Sequence, residues 1–425
     1  MKRSVILVLL MAVFCSDSSA QALAEVEPET QQFSRERLYR IDHMVKEYID
    51  TRKMIGAGAL IARNGKIVYY RSYGWDDREN KKPLKRNAIF RIASQTKAIT
   101  SVAVMMLYEE GKFLLDDPVS KYIHSFKNPR VLDKFNPADT TYTTVPASRE
   151  VTIRDLLTHT SGIGYAQIGS PEFVAIYAKN NIRSFFGQGS TSLAEDVQKI
   201  GSLPLAHNPG EKFTYGLNTD VLGYLVEVVS GMSLSDFMKT RIFDPLGMKD
   251  TYFYVPPAKQ SRLVTTYYPD STGKLVKLPL QYEDNGPLNI DFPKSTGTYY
   301  SGGAGLCSTL LDYATFLQMI LNGGIYNGKR LLSPHTVRMI SVNQIGDLME
   351  DDNKFGLGFE VLTEEGGAKF PTPPGTLGWG GIYSTSYWAD PKNKVIGLFF
   401  KQVWDDPASD AAAKFKVMTY AALME

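Results

Sequence analysis

Ser94 and Lys97 stand three residues apart in the tetrad Ser94-Gln95-Thr96-Lys97, at the head of the apolar run Ala98-Ile99-Thr100-Ser101-Val102-Ala103-Val104-Met105-Met106-Leu107. On a helix that spacing places both side chains on one face, one turn apart. The run is apolar almost all round, so it predicts a helix buried in the middle of a domain. A buried lysine is disfavoured in its charged form. A neutral amine beneath a serine hydroxyl can take its proton and turn it into a nucleophile. The bland alternative is that Ser94 simply caps the helix by accepting a backbone N–H. A chain of this length also holds about two such tetrads by chance. The second one, Ser271-Thr272-Gly273-Lys274, follows Asp270 and precedes Leu275-Val276-Lys277-Leu278, and reads as a turn between strands.

Two further segments could complete a nucleophile site. Tyr215 lies in Pro209-Gly210-Glu211-Lys212-Phe213-Thr214-Tyr215-Gly216-Leu217-Asn218, just ahead of a helical run from Thr219 to Val229. A tyrosine beside a lysine can carry a proton between serine and leaving group; the competing reading is a half-buried structural tyrosine. Trp379-Gly380-Gly381-Ile382-Tyr383-Ser384 precedes an apolar strand. Its glycines let a substrate approach the backbone closely, and a backbone N–H there, with that of Ser94, could hold an oxyanion. A β-bulge or tight turn is the alternative.

Several chemistries are excluded. No Gly-x-Ser-x-Gly elbow occurs, which argues against an α/β-hydrolase. No phosphate-binding glycine loop follows a strand, so no nucleotide cofactor is implied. The five histidines are scattered and show no metal-ligand spacing, so neither a metal nor any other cofactor is expected. Of the two cysteines, Cys307 sits in an apolar context and reads as core packing.

The elements that must position these residues are legible in outline. Residues 1–20 combine a basic start at Lys2-Arg3 with the apolar stretch Val5 to Phe14 and then small residues. That is a secretory signal, with cleavage after Ala20 or alternatively Ala24. It predicts a periplasmic or secreted protein with no transmembrane segment in the mature chain. Cys15 raises a lipidated alternative, against which the bulky Phe14 before it counts. About 400 residues remain, enough for a large core and two subdomains. The charge balance of 47 basic and 45 acidic side chains, net +2, offers no basic stripe and argues against nucleic acid as a partner.

An amphipathic helix is expected from Gln31 to about Arg52, then strands at Gly56–Arg63 and Lys66–Tyr70 around an Asn64-Gly65 turn. Helical patterns follow to Leu246, with irregular connections such as 128–150. Strands return at Phe355–Val361, Ser384–Trp388 and Lys394–Phe400, and a last helix spans about 406–423. This order predicts an α+β fold: an antiparallel sheet flanked by terminal helices, built from 32–93 and 296–425, with an α-rich subdomain inserted over 94–295.

Taken together, these residues resemble the serine β-lactamase-related superfamily of class C β-lactamases, penicillin-binding D,D-peptidases and family VIII carboxylesterases. The resemblance runs from about residue 35 to 423. Beyond the tetrad it rests on Leu114-Leu115-Asp116-Asp117-Pro118-Val119-Ser120-Lys121-Tyr122, on Val151-Thr152-Ile153-Arg154-Asp155-Leu156-Leu157-Thr158-His159-Thr160-Ser161-Gly162, on Phe243-Asp244-Pro245-Leu246-Gly247-Met248-Lys249-Asp250-Thr251 and on Gly302-Gly303-Ala304-Gly305-Leu306-Cys307-Ser308-Thr309. It implies Ser94 as nucleophile, Lys97 as its base and Tyr215 as the tyrosine of a Tyr-x-Asn motif. It implies the backbone N–H groups of Ser94 and Ile382 as oxyanion donors, with Trp379, Gly380, Gly381, Leu217 and Asn218 at the substrate. Two departures stand out. Leu217 occupies the Asn position of Tyr-x-Asn, with Asn218 one residue late. Trp379 occupies the place of the lysine in Lys-Thr-Gly, as in family VIII esterases. A β-lactam or peptide carboxylate pairs with that lysine. The resemblance therefore implies a secreted serine hydrolase that cleaves ester or amide bonds through an acyl-enzyme, foremost a carboxylesterase. A β-lactamase or D,D-peptidase acting on cell-wall-related substrates is the alternative, and a non-catalytic binding homologue the second.

Overall fold

The apolar residues of the sheet divide between two layers by simple alternation. The computed structural model describes residues 23–166, 168–182, 192–283 and 287–424. The expected signal at residues 1–20 and Cys15 lie outside the described residues. The sheet strands are β1 (Ala24–Glu25), β2 (Gly56–Arg63), β3 (Lys66–Asp77), β4 (Lys82–Pro83), β5 (Asn353–Phe355), β6 (Glu360–Leu362), β7 (Leu377–Gly381), β8 (Thr385–Asp390) and β9 (Val395–Phe400). They form a nine-stranded sheet in the spatial order β1-β3-β2-β9-β8-β7-β6-β5, with β4 on β3. Only the short β1–β3 contact is parallel; the remaining pairs are antiparallel.

Successive side chains on a strand point to opposite faces. On β2, Ala57, Ala59 and Ile61 face one layer with Val395 and Phe399 of β9. Leu60 and Ala62 face the other layer with Ile396, Leu398 and Phe400. The first layer is covered by α1 (Arg35–Asp50), through Leu38, Ile41, Met44 and Val45, and by α5 (Ala411–Ala422), through Ala411 and Phe415. The second layer carries α2 (Thr96–Glu109), α3 (Asn218–Ser230) and α4 (Leu310–Leu321) in one large core. The expected fold class is therefore the observed one. Among the described residues, no single helix is long and apolar enough to cross a membrane.

Two local differences from expectation have clear causes. The connection 128–150 carries an antiparallel hairpin, Arg130–Asn136 with Thr141–Pro146. Its β-branched Val131, Thr143, Thr144 and Val145 suit a pleated backbone, and Leu132 N–H donates to the Leu205 carbonyl. The single strand expected over Phe355–Val361 is two, β5 and β6, because Gly358 turns the chain at φ +86°. A Cβ there would lie 1.9 Å from the Ser101 hydroxyl, so this turn is pressed against α2.

Gly397 shows how tightly the first layer is packed. It pairs with Trp388 across β8 and β9, and a Cβ there would lie 2.1 Å from the Trp388 ring. Trp388 is fully buried, so the ring has nowhere cheap to go. Gly397→Ala should cost about 1–3 kcal/mol by overpacking. A denaturant titration checks this, and an unchanged midpoint would contradict it.

Candidate active site

The chain enters the site through a fixed backbone. Phe90–Arg91 pairs with Cys307–Ser308. Gln402 clamps Arg91 in both directions: its Oε1 accepts from Arg91 N–H (3.0 Å) and its Nε2 donates to the Arg91 carbonyl (3.1 Å). Ile92 N–H donates to the Leu306 carbonyl and Thr96 Oγ1 accepts from Leu306 N–H. Tyr313 OH donates to the Gln95 carbonyl (2.9 Å). Between these anchors Ala93 takes φ +43°, a left-handed value that non-glycine residues adopt at a cost. The turn Ala93–Gln95 then runs directly into α2. Cys307 is fully buried beside it, as its apolar context predicts, and burial pushes its thiol up to about 12.

Ser94 is not the cap of α2; Gln95 holds that place and makes no side-chain capping bond. Its hydroxyl instead meets Lys97, whose Nζ lies 3.2 Å away. Lys97 is 2% exposed, so the expected burial is real. Its Nζ also donates to the Gly303 carbonyl (2.8 Å) and lies 3.4 Å from Tyr165 OH. It sits over two rings, 4.7 Å from the centre of Tyr215 and 5.5 Å from that of Tyr165.

Tyr215 is delivered by the turn before α3. His159, at φ +56°, holds that turn. Its carbonyl accepts from Thr214 N–H (2.7 Å), and its Nδ1 accepts from Asn218 Nδ2 (2.9 Å) and Gly216 N–H (3.4 Å). Leu217 N–H donates to the Gly164 carbonyl. An aromatic wall continues outward: Tyr215 stacks at 4.9 Å on His159 and 5.5 Å on Trp379, which meets Phe355 at 5.5 Å.

Trp379, Gly380 and Gly381 lie in regular register on β7, opposite Tyr387, Ser386 and Thr385, and the tight turn comes after them, where Ser384 N–H donates to the Gly381 carbonyl. The end of β7 abuts the turn that carries Ser94: a Cβ on Gly381 would lie 2.5 Å from the Ile92 carbonyl. Half-buried Ile382 begins the turn that follows. The structure thus brings Ser94, Lys97, Tyr215, Trp379, Gly381 and Ile382 to one place, with Gly380 exposed beside them.

Leu217 and Asn218 are a correction to the expected pocket. Leu217 is 2% exposed within the large core, and Asn218 is fully buried, bonded to His159 and Ser161. Opening α3 at this point turns both side chains inward, so neither has surface open to a substrate. Three other residues at the site were not singled out: Tyr165, His159 as a support, and Asp220. Tyr165 follows directly on the Thr158–Gly162 block, and Asp220 is a carboxylate inside an otherwise apolar helical run; both signals were readable. Ser271 stands in an exposed turn between Tyr267–Pro269 and Leu275–Lys277, as its neighbours predict. Among the described residues no group of three or more His, Cys, Asp or Glu is placed to hold a metal ion.

Burial, helped by the nearby positive Lys97, holds His159 well below the usual imidazole range. The folded protein therefore keeps His159 neutral, with Nδ1 free to accept. The unfolded chain takes up a proton below about pH 6.5, and the folded one does not. The His159 contribution to stability is thus intact above that pH and falls by about 1.4 kcal/mol for each unit below it, until the folded pKa is reached. His159→Gln should flatten the stability profile between pH 7 and 5 relative to the parent chain. Parallel profiles from denaturant titrations would contradict this.

Comparison with known proteins agrees with the geometry. The family model described as Beta-lactamase matches residues 41–420. Esterase EstB of Burkholderia gladioli is 31% identical over 84% of this chain and 88% of its own length. A putative D-alanyl-D-alanine carboxypeptidase of Escherichia coli O157:H7 is 28% identical, covering 96% of this chain and 93% of its own. Among solved structures, EstCE1, described as a hydrolase with promiscuous acyltransferase activity, superposes with a TM-score of 0.77 at 26% identity, over 92% of this chain and 99% of its own.

Proposed function

The chain belongs to the beta-lactamase family and is a serine hydrolase; from that premise we propose that it is a carboxylesterase. The observation that carries this reading is the wall beside Ser94. By the resemblance, Trp379 takes the place of the lysine that would receive a β-lactam or peptide carboxylate, and it packs on Tyr215 and Phe355. An apolar wall favours a neutral ester over an anionic substrate. The likeness to Esterase EstB supports the same reading.

In the proposed mechanism the Lys97 amine takes the Ser94 proton as Oγ attacks the ester carbonyl. The tetrahedral oxyanion is held by the N–H groups of Ser94 and Ile382. As the intermediate collapses, the C–O bond to the alcohol breaks, and Tyr215 passes a proton from Lys97 to the departing oxygen. Water then enters, gives a proton back through the same groups, and releases the acid and free Ser94. Trp379, Gly380 and Gly381 line the substrate path. The leader at residues 1–20 supports release to the periplasm or the exterior.

A fluorophosphonate should label Ser94 alone, and Ser94→Ala should abolish labelling without loss of fold. Labelling mapped to Ser161 or Ser271 would refute the assignment, and no labelling at all would favour a non-catalytic homologue. For substrate class, kcat/KM on a short-chain aryl ester should exceed that on a cephalosporin by at least about 10²-fold, roughly 2.7 kcal/mol of transition-state stabilisation. Trp379→Lys should narrow the gap. Equal rates with the parent chain would replace this reading by a β-lactamase or D,D-peptidase.

A further inference from the structure

Asp220 is a carboxylate with almost no access to water, 3% exposed, in the first turn of α3. Such a group persists in a core only when it is bonded or balanced by charge. Its Oδ1 accepts from Ser301 Oγ–H (2.6 Å) and from Gly303 N–H (3.3 Å). Gly303 in turn offers its carbonyl to Lys97 Nζ at 2.8 Å. One residue therefore joins the carboxylate to the amine, with its N–H on one and its C=O on the other.

The surroundings leave this link little freedom. A Cβ on Gly303 would lie 2.5 Å from Asp220 Oδ2 and 3.5 Å from Lys97 Nζ. A Cβ on Gly302 would lie 2.4 Å from the Thr219 carbonyl. Thr100, one turn along α2 from Lys97, donates its hydroxyl to the Gly302 carbonyl (2.7 Å). Glycine is required at 302 and 303 because α2, α3 and the 301–304 loop close on one another there. Burial pushes the Asp220 carboxyl up, while Ser301, the positive Lys97 and Gly303 N–H hold it back.

We propose that Asp220 is a positioning residue for the nucleophile's base: through Gly303 it aims Lys97 Nζ at Ser94, and its carboxylate, when ionised, favours the protonated amine. This rests on the reading of Lys97 as the base. The other titratable groups that face Lys97 are Tyr165 from the segment after Gly162, Tyr215 from the turn before α3, and His159 from the segment after Leu157. The 302–304 loop and the end of β7 present no titratable side chain to it. Of these neighbours, Asp220 alone carries a carboxyl group, and burial keeps His159 neutral.

The test is the pH dependence of fluorophosphonate labelling at Ser94, read as a rate from pH 4 to 10, in the full chain. Asp220→Asn keeps an oxygen for Ser301 and Gly303 but removes the charge. Loss of a nearby negative charge disfavours protonated Lys97, so the acid limb should move to lower pH, by about one unit or more, with labelling at the plateau slowed about 10-fold or more by misplaced Nζ. Ser301→Ala, which keeps the charge, should leave the limb in place. Gly303→Ala forces a methyl group between Oδ2 and Nζ and should shift the limb in the same direction as Asp220→Asn, which answers the question if the latter does not fold. An acid limb unmoved in the folded variants would overturn the inference alone. A parent chain that is not labelled at Ser94 would overturn the proposed function and this inference with it.

Discussion

The contact between Lys97 Nζ and the Ser94 hydroxyl is the interaction on which the rest of the site depends. A serine hydroxyl is a weak nucleophile unless a base is within reach of its proton. Lys97 can be that base only if it is kept out of water and aimed. At 2% exposure it is out of water, and the Gly303 carbonyl and two tyrosine rings fix its direction. The helix α2 makes this possible because its residues from Thr96 to Leu107 are all buried. An amphipathic helix would leave one face to solvent and allow the amine to escape along it.

Beyond Ser94, the groups that build the site around Lys97 come from different parts of the chain, so the fold rather than any local segment assembles it. Gly303 arrives on the loop before Cys307, which is paired to Arg91 just upstream of Ser94. Tyr215 arrives on the turn held by His159, and Trp379 on the sheet strand that ends against Ile92. The sheet and its covering helices supply a rigid base for these approaches. Several glycines allow the contacts: Gly303 and Gly381 are positions where a side chain would separate groups that have to meet.

The contact of Ser94 with Lys97 and the fold class were legible in the sequence, because both follow from short-range pattern. Ser94 and Lys97 are one helical turn apart, and the strands around Asn64-Gly65 alternate as a sheet requires. Boundaries were less legible where a single glycine decides them, as at Gly358. Leu217 and Asn218 were misplaced because motif alignment counts residues along the chain, whereas the start of α3 determines which way they face. The roles of Tyr165, His159 and Asp220 are harder to read, because each acts through a contact with a residue distant in sequence. Asp220 in an apolar helix was the strongest overlooked signal, since a buried carboxylate needs a partner.

The claim that Ser94, Lys97 and Tyr215 work as one proton-transfer unit is tested most directly by a double-mutant cycle. Steady-state turnover of a short-chain aryl ester is measured for the parent chain, Lys97→Ala, Tyr215→Phe and the double variant. Each single change should lower kcat on the order of 10²-fold or more. The double variant should be little worse than the poorer single one, because a broken relay cannot be broken twice. Losses that multiply in full would show two independent contributions and contradict the account.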